Sequence, residues 1–481
     1  MTTRTGQDEA IVVGAGPNGL AAAVTLARHG LRVTVLEAAD TIGGGTRSGE
    51  LTVPGVLFDH CSSTHIMGAG SPFLRSLDLK RYGLEWAWPE VDLAHPLDGG
   101  AGAGALYRSV EETAAGLGED GPAWRRLFGP LAADAEALTD EVMRPMLKVP
   151  RHPFRLARFG LRALQPASLV ARRFRTARAR ALFGGVAAHL FGPLDQPVGA
   201  SVGLMIIAAG HRFGWPVARG GSQAIADALA AMLTEAGGRI ETGVRVRSLA
   251  ELPPAGTVLL DLAPAAAAGV IGDRLPPRVR RAYTTRFRHG PGAFKLDLAV
   301  EGGVPWRDEA CRRAGTLHLG GTFEQIARAE AEMSRGRMPE RPFMLISQQY
   351  LADPDRSAGE VHPVSAYAHV PHGWPGDATE AMLDQFERFA PGTRERIVAA
   401  DAKSTAELER DNANYVGGDI VGGANTPLQL TMRPRVALDP YRTGVPGVYL
   451  CSAATPPGAG AHCMSGHNAA LSALRALGIR R

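Results

Sequence analysis

The chain has 481 residues, 45% hydrophobic and 21% charged, which describes a folded protein with a sizeable core and excludes a disordered or collagen-like chain. Lys+Arg 52 against Asp+Glu 48 leaves a net charge of +4, too little by itself for a nucleic-acid-binding surface. Four cysteines, Cys61, Cys311, Cys451 and Cys463, with no C-x-x-C pair, support neither a disulfide scaffold nor a metal or dithiol site.

The length allows about three domains or one large enzyme. Residues 1–9 are polar and lack the basic-then-apolar order of a signal peptide. The longest uncharged apolar stretch, 198–210, is well short of the roughly 20 residues of a membrane span. The expected location is cytoplasmic.

Residues 10–13 read as a buried strand. They run into Gly14-Ala15-Gly16-Pro17-Asn18-Gly19, a G-x-G-x-x-G, then a helix over 20–29 closed by Gly30. A second strand over 31–36 ends at Glu37, completing a β-α-β unit. Gly14 permits the tight turn, Gly16 lets the backbone approach a pyrophosphate, and Gly19 lets helix and strand pack closely. The free N–H groups and dipole of the helix start stabilise phosphate charge, and Glu37 can accept from ribose hydroxyls. In Ile42-Gly43-Gly44-Gly45-Thr46-Arg47-Ser48 the glycines can offer amides to a second phosphate and Arg47 can add charge.

The G-x-G of residues 99–104 lies between short apolar runs at hairpin spacing and is not followed by a helix, so it is not a phosphate loop. Residues 120–190 read as mostly helix. Between Val142 and Leu194 there is no acidic residue. Arg151, Arg155, Arg158 and Arg162 follow helical spacing with Phe154, Phe159 and Leu161 interleaved, a pattern that fits a solvated face or a membrane-surface contact. Residues 293–300 alternate as a strand carrying Lys295. Residues 364–371 form another, on which Tyr367 and His369 can line a pocket.

With these segments in view the chain resembles the phytoene desaturase-like flavoproteins, which include carotenoid desaturases and isomerases and retinol saturase-like proteins, within the flavin-containing amine oxidase superfamily. The resemblance is discontinuous and runs nearly end to end. It is carried by Gly14–Gly19, Glu37, the Gly-Gly-x-x-Arg-Ser of 43–48, and Gly214–Ser222 with 237–246. Gly417-Gly418-Asp419-Ile420 with Gln429-Leu430, and residues 447–470, complete it. The run Gly458-Ala459-Gly460-Ala461 has less glycine than the family pattern, and His462-Cys463-Met464 is bulkier, so the family's pocket shape does not transfer there.

The resemblance implies an α/β fold with a discontinuous Rossmann-type FAD-binding lobe (1–58, 214–275, 436–481). The substrate lobe, of mixed sheet and helices, takes 59–213 and 276–435, with a basic helical region over 142–194. It implies non-covalent FAD held by Gly14, Gly16, Pro17, Asn18, Gly19, Glu37, Gly44, Gly45, Arg47, Gly220, Gly221, Val246, Ser452, Gly460, His467, Asn468 and Ala469. In that superfamily a lysine on the strand of Lys295 can hold a water at flavin N5. His60, Cys61, Ser62 and His65 lie where the chain passes near the flavin, and His65 or His462 could steer a substrate or a proton.

The expected activity is hydride transfer between a hydrophobic, isoprenoid- or carotenoid-like substrate and flavin N5, of desaturase or dehydrogenase type. The single Rossmann unit favours oxygen or a quinone as electron acceptor. A polyene saturase or cis–trans isomerase, an amine or secondary-metabolite oxidase, and a non-catalytic flavin-bound scaffold are the alternatives. No metal and no nucleic acid are expected. The sequence does not specify an oligomeric state.

Overall fold

The computed structural model describes residues 8–479. A five-stranded parallel sheet runs in the order Val448–Leu450, Thr257–Leu260, Glu9–Val13, Arg32–Leu36, Arg239–Glu241, so three distant stretches of chain build it. Parallel sheets need cover on both faces. Ala10, Val12, Val33, Val35 and Leu259 pack under helices Pro17–Ala27, Gln223–Glu235 and Met464–Ala476. Ile11, Val13, Val258, Leu260 and Leu450 pack under helix Pro264–Ile271. Pro17 starts the first helix, where its missing N–H costs nothing.

A seven-stranded mixed sheet follows the order Ile397–Lys403, Gly292–Glu301, Val361–Val370, Met344–Ser347, Ala314–Leu319, Val91–Pro96, Ala103–Leu106. The last two are the expected hairpin around residues 99–104. Strand alternation makes this sheet two-sided. Leu296, Leu298, Val364, Ala366, Met344, Ile346 and Leu317 join an apolar core with Met382 and Phe386 of helix Thr379–Phe389. Between them, Lys295, Asp297, Ser365, Tyr367, His369, Thr316 and His318 point to the opposite face, which is polar and nearly all buried.

Helices Gly121–Ala133, Pro153–Ala163, Ala177–Ala187 and Ala200–Phe213 form a third core around Trp124, Phe128, Phe183 and Leu204. In helix Pro153–Ala163 the even basic stripe is broken. Arg155 and Arg158 both reach Asp134, at 3.2 and 2.8 Å, and Phe159 is buried while Phe154 and Leu161 stand in solvent.

Arg356 staples the two sheets' surroundings together. Its fully buried guanidinium reaches Asp59 at 2.7 Å, Asp353 at 3.0 Å and the Ala218 carbonyl at 2.6 Å. Burial alone would raise the Asp59 carboxyl. The charge of Arg356 and hydrogen bonds from Ser222, Ser48 and Arg356 outweigh it, and the group falls below 3.8.

Candidate active site

The loop between strand Glu9–Val13 and helix Pro17–Ala27 packs too tightly for side chains. A Cβ on Gly19 would stand 2.0 Å from the Gly14 carbonyl oxygen, and one on Gly16 would stand 2.9 Å from Asp261 Oδ2. Gly14 has φ +102, a region that favours glycine. The turn of residues 43–46 lies directly against this loop. Gly43 N–H donates to the Ala15 carbonyl at 2.9 Å, and a Cβ on Gly44 would be 3.2 Å from the Gly16 Cα. Among the described residues the amides of Gly16, Asn18, Gly44 and Gly45 have no protein acceptor. Four idle donors in a cradle without side chains fit the phosphates of a dinucleotide.

Glu37 braces the cradle: its Oε2 accepts from Ala15 N–H at 2.7 Å and its Oε1 from Ala39 N–H at 2.8 Å. Each oxygen keeps a lone pair for a ribose hydroxyl. Arg47 donates to the Gly44 carbonyl at 3.0 Å and to the Asp411 carbonyl at 2.5 Å, so its charge borders the same turn. The N-terminus of helix Met464–Ala476 meets that of helix Pro17–Ala27. A Cβ on Gly466 would fall 1.7 Å from the Asn18 carbonyl oxygen. Two positive helix ends thus converge where an anionic ligand would sit.

Sequence reading missed Asp261, the last residue after strand Thr257–Leu260. Its Oδ2 accepts from Gly19 N–H at 2.9 Å. Burial, reinforced by the charge of Glu37 and opposed by the Gly19 hydrogen bond, raises its carboxyl to about 7. Its position at the carboxyl end of a parallel strand is where ligands bind in such sheets, but Gly19 lies far from it in sequence.

The other expected cofactor-binding residues have protein partners of their own. The His467 ring lies between helices, 3.0 Å from Thr25 Oγ1 and stacked on Phe73, and the Asn468 amide donates to the Met143 carbonyl. Both side chains tie helix Met464–Ala476 to its neighbours. Ala469 is buried in the same core. Gly220 N–H is taken by Asp353 at 2.7 Å, and Gly221, φ +105, packs on Ser48, so this pair belongs to the Arg356 staple. Val246 follows the edge strand and packs on the sheet's far core, beyond the Val244 N–H that donates to the Glu37 carbonyl. Ser452 caps the Leu262 carbonyl, and Gly460, φ +118, lies beside His462.

Of the candidate reactive residues, His65 is buried with Nε2 2.8 Å from Ser222 Oγ, and burial pushes it down to about 4. His462 is likewise buried and lowered to about 4. Its Nδ1 caps Met464 N–H and its carbonyl accepts from Ser71. Both are committed to backbone and hydroxyl partners that order the chain.

Lys295 is different. It lies 4% exposed on the polar face, with its ammonium paired to Asp297. Burial raises the Asp297 carboxyl against the pull of Lys295 and of the Ser365 hydroxyl beside it. Around this pair stand Cys61, His60 and Tyr415. Burial and the charges of Lys403, Arg47 and Lys295 lower His60 to about 4, while burial raises the Cys61 thiol and the Tyr415 phenol. A Cβ on Gly45 would stand 2.0 Å from the Tyr415 hydroxyl, so this phenol joins the glycine cradle to the polar face. Among the described residues no group of three His, Cys, Asp or Glu is placed to hold a metal ion.

A family model for an NAD(P)-binding Rossmann-like domain matches residues 12–77. The chain is 24% identical to the mouse (Mus musculus) pyridine nucleotide-disulfide oxidoreductase domain-containing protein 2, covering 96% of this chain and 92% of that protein. It is 26% identical to the hydroxyneurosporene desaturase of Cereibacter sphaeroides, covering 98% of each. Among solved structures, a putrescine oxidase double mutant superposes with a TM-score of 0.60 at 18% identity, covering 98% of this chain and 99% of that one. The glycine cradle, the Rossmann-like match and these end-to-end similarities support an oxidoreductase that resembles the phytoene desaturase-like flavoproteins.

Proposed function

We propose that the protein binds FAD non-covalently and oxidises a long, hydrophobic, isoprenoid-like substrate by removing a hydride from one of its C–H bonds. When bound, FAD supplies the hydride acceptor, N5 of its isoalloxazine. The observation that carries the reading is the meeting of two surfaces. Tyr415 touches Gly45 of the cradle, and Lys295, Asp297 and Cys61 lie beside it on the buried polar face.

The chain's own residues have definable tasks. Gly16, Asn18, Gly44 and Gly45 offer amides to the phosphates, and Glu37 anchors the loop. Tyr367, on the cross-strand row of Lys295, and Phe191, stacked near it, give the substrate an aromatic wall that excludes water. Loss of hydride from one carbon and a proton from its neighbour makes a C=C bond. Asp297, buried beside Lys295 with its carboxyl raised by burial, is placed to take that proton, and the Lys295 ammonium stays paired with it until then. Lys295 can also orient a water at this face. Oxygen or a quinone then serves as the final electron acceptor.

A hydrophobic substrate is also consistent with membrane-surface docking. Val149, Phe154, Leu161 and Leu164 are 88%, 88%, 75% and 63% exposed, interleaved with Arg151 and other arginines. No helix among the described residues is long and apolar enough to cross a membrane.

The test is anaerobic mixing of the purified FAD-loaded protein with panels of isoprenoids and of amines. Bleaching of the flavin band by an isoprenoid, with a product two hydrogens lighter, is the expected result. Bleaching by amines alone would move the protein to amine oxidation. Protein that fails to retain FAD would remove the proposal altogether.

A further inference from the structure

The polar face carries a second constellation that this chemistry leaves unused. Register sets Lys295 opposite Tyr367, Tyr367 opposite Leu345, and Leu345 opposite His318. The parallel neighbour brings His95 beside His318, ring centroids 6.5 Å apart. The helical turn Ala188–Leu190 sets His189 onto this row, its Nε2 3.1 Å from His318 Nε2. Burial pushes His95 down to about 4, His189 to about 3, and His318 well below the ordinary range. All three rings are therefore neutral at pH 7, and each carries one ring proton.

The partners decide where those protons sit. His95 Nε2 lies 2.7 Å from the Gly321 carbonyl, which only accepts, so its proton is on Nε2. Among the described residues His318 Nδ1 is buried without a partner, and it abuts Gly185, where a Cβ would be 2.7 Å away. A buried N–H without an acceptor is a rarer and costlier defect than an idle lone pair. The His318 proton therefore sits on Nε2 and is donated to His189 Nε2. That leaves the His189 proton on Nδ1, which has no acceptor among the described residues. His189 lies deep in the lobe yet keeps accessible surface, as Tyr367 does, so both border internal space. Phe191 walls the same space. It is stacked 3.8 Å from His369 and 6.1 Å from Tyr367, and held at φ 51, a conformation uncommon outside glycine.

We infer that His189, backed by His318, is a hydrogen-bond donor that selects a substrate bearing a neutral oxygen acceptor (hydroxyl, ether or carbonyl) at the end remote from the reacting carbon. From Lys295 to His318 is three strand spacings, roughly 14 Å. The ligand is thus an extended, largely apolar molecule with its oxygen about that far from the C–H bond that reacts. This rests on the proposed reading that the Lys295 end is where the hydride leaves. A site built around a buried donor discriminates strongly against an analogue lacking the acceptor, because the donor is then left unpaired.

The experiment compares binding of geranylgeraniol with that of the hydrocarbon of the same skeleton to the FAD-loaded protein, without turnover. Trp215, 6.1 Å from the His189 ring and 6.3 Å from His318, gives the fluorescence signal, with Trp215→Phe as the control for its origin. The expected result is at least about 10-fold tighter binding of the alcohol. His189→Phe should bring the two ligands to within about 2-fold of each other, and His189→Gln, which keeps a donor, should restore part of the preference. Equal affinities in the unaltered protein, or a preference unchanged in His189→Phe, would overturn the inference. The first of these outcomes needs no variant to fold. Preferential binding of the alcohol with no flavin reduction would sink the proposed oxidation alone, whereas reduction by both ligands with equal affinity would sink only the role of His189.

Discussion

Asp261 stands against three glycines of the cradle, and its carboxyl carries a raised value of about 7 where a dinucleotide would add negative charge. A folded-state value above the unfolded 3.8 means the fold holds the proton more tightly. The stability this gives is full below about 4 and is lost as pH rises toward 7, up to about 4 kcal/mol by the pKa difference. Asp261→Asn keeps an oxygen for Gly19 N–H and removes the titration. Its melting temperature relative to the parent should climb by several degrees between pH 4.5 and 7.5. A difference that stays flat across that range would show an ordinary carboxyl. Asp92, also raised to about 7 by burial, is common to both proteins and cancels in the comparison. At this scale the sequence was legible where the reason for a residue is local. Gly14, Gly16 and Gly19 are dictated by the turn they make. Asp261, Tyr415 and His189 act on residues far away in the chain and leave no local pattern. The side chains of His467 and Asn468 turn to Thr25, Phe73 and Met143, because a motif fixes the path of the backbone but not which way each helical side chain turns.

Helix Pro153–Ala163 shows what periodicity can and cannot decide. Its spacing gave the helix and the two-sided character, and the 293–301 and 361–370 strands were equally plain from alternation. Which apolar residues face inward depended on the packing partner. Phe159 went to the core, Phe154 and Leu161 to the surface, and Arg155 and Arg158 to Asp134. The remaining arrangement predicts sedimentation of the protein with phosphatidylcholine vesicles containing phosphatidylglycerol, and much less with phosphatidylcholine alone. Burying Phe154 and Leu161 in the interface is worth about 1.5–3 kcal/mol each, so Phe154→Ser with Leu161→Ser should lower vesicle binding by more than about 10-fold. If the unaltered protein stays in the supernatant with anionic vesicles, the docking proposal fails. The double variant should leave the melting temperature almost unchanged, since neither side chain is packed.

For the molecule as a whole, the Arg356 staple is the strongest prediction. Arg356→Met leaves Asp59 buried without its cation and Asp353 with only Arg219, 3.9 Å away, which costs about 3–5 kcal/mol. The Asp59 carboxyl is held below 3.8, so its contribution is present above that value and is lost as pH falls through the folded-state value. The deficit of the variant should therefore be largest near neutrality and shrink on acidification, as read by thermal unfolding across pH 3–7. A variant as stable as the parent at pH 7 would show that the staple is dispensable. The two-lobed plan itself was visible in the sequence through the β-α-β unit and the later glycine segments. The order of the seven-stranded sheet was not, because cross-strand pairing is not a local property. The parallel sheet has a temporal consequence as well. Its edge strand Val448–Leu450 leaves the ribosome long after Glu9–Val13, and helix Met464–Ala476 later still. At roughly 5–20 residues per second, tens of seconds separate these events. The nascent chain must carry its opening turns uncovered through that interval, so completion of the glycine cradle is a late event in biogenesis and chaperone guarding of the early apolar strands is expected.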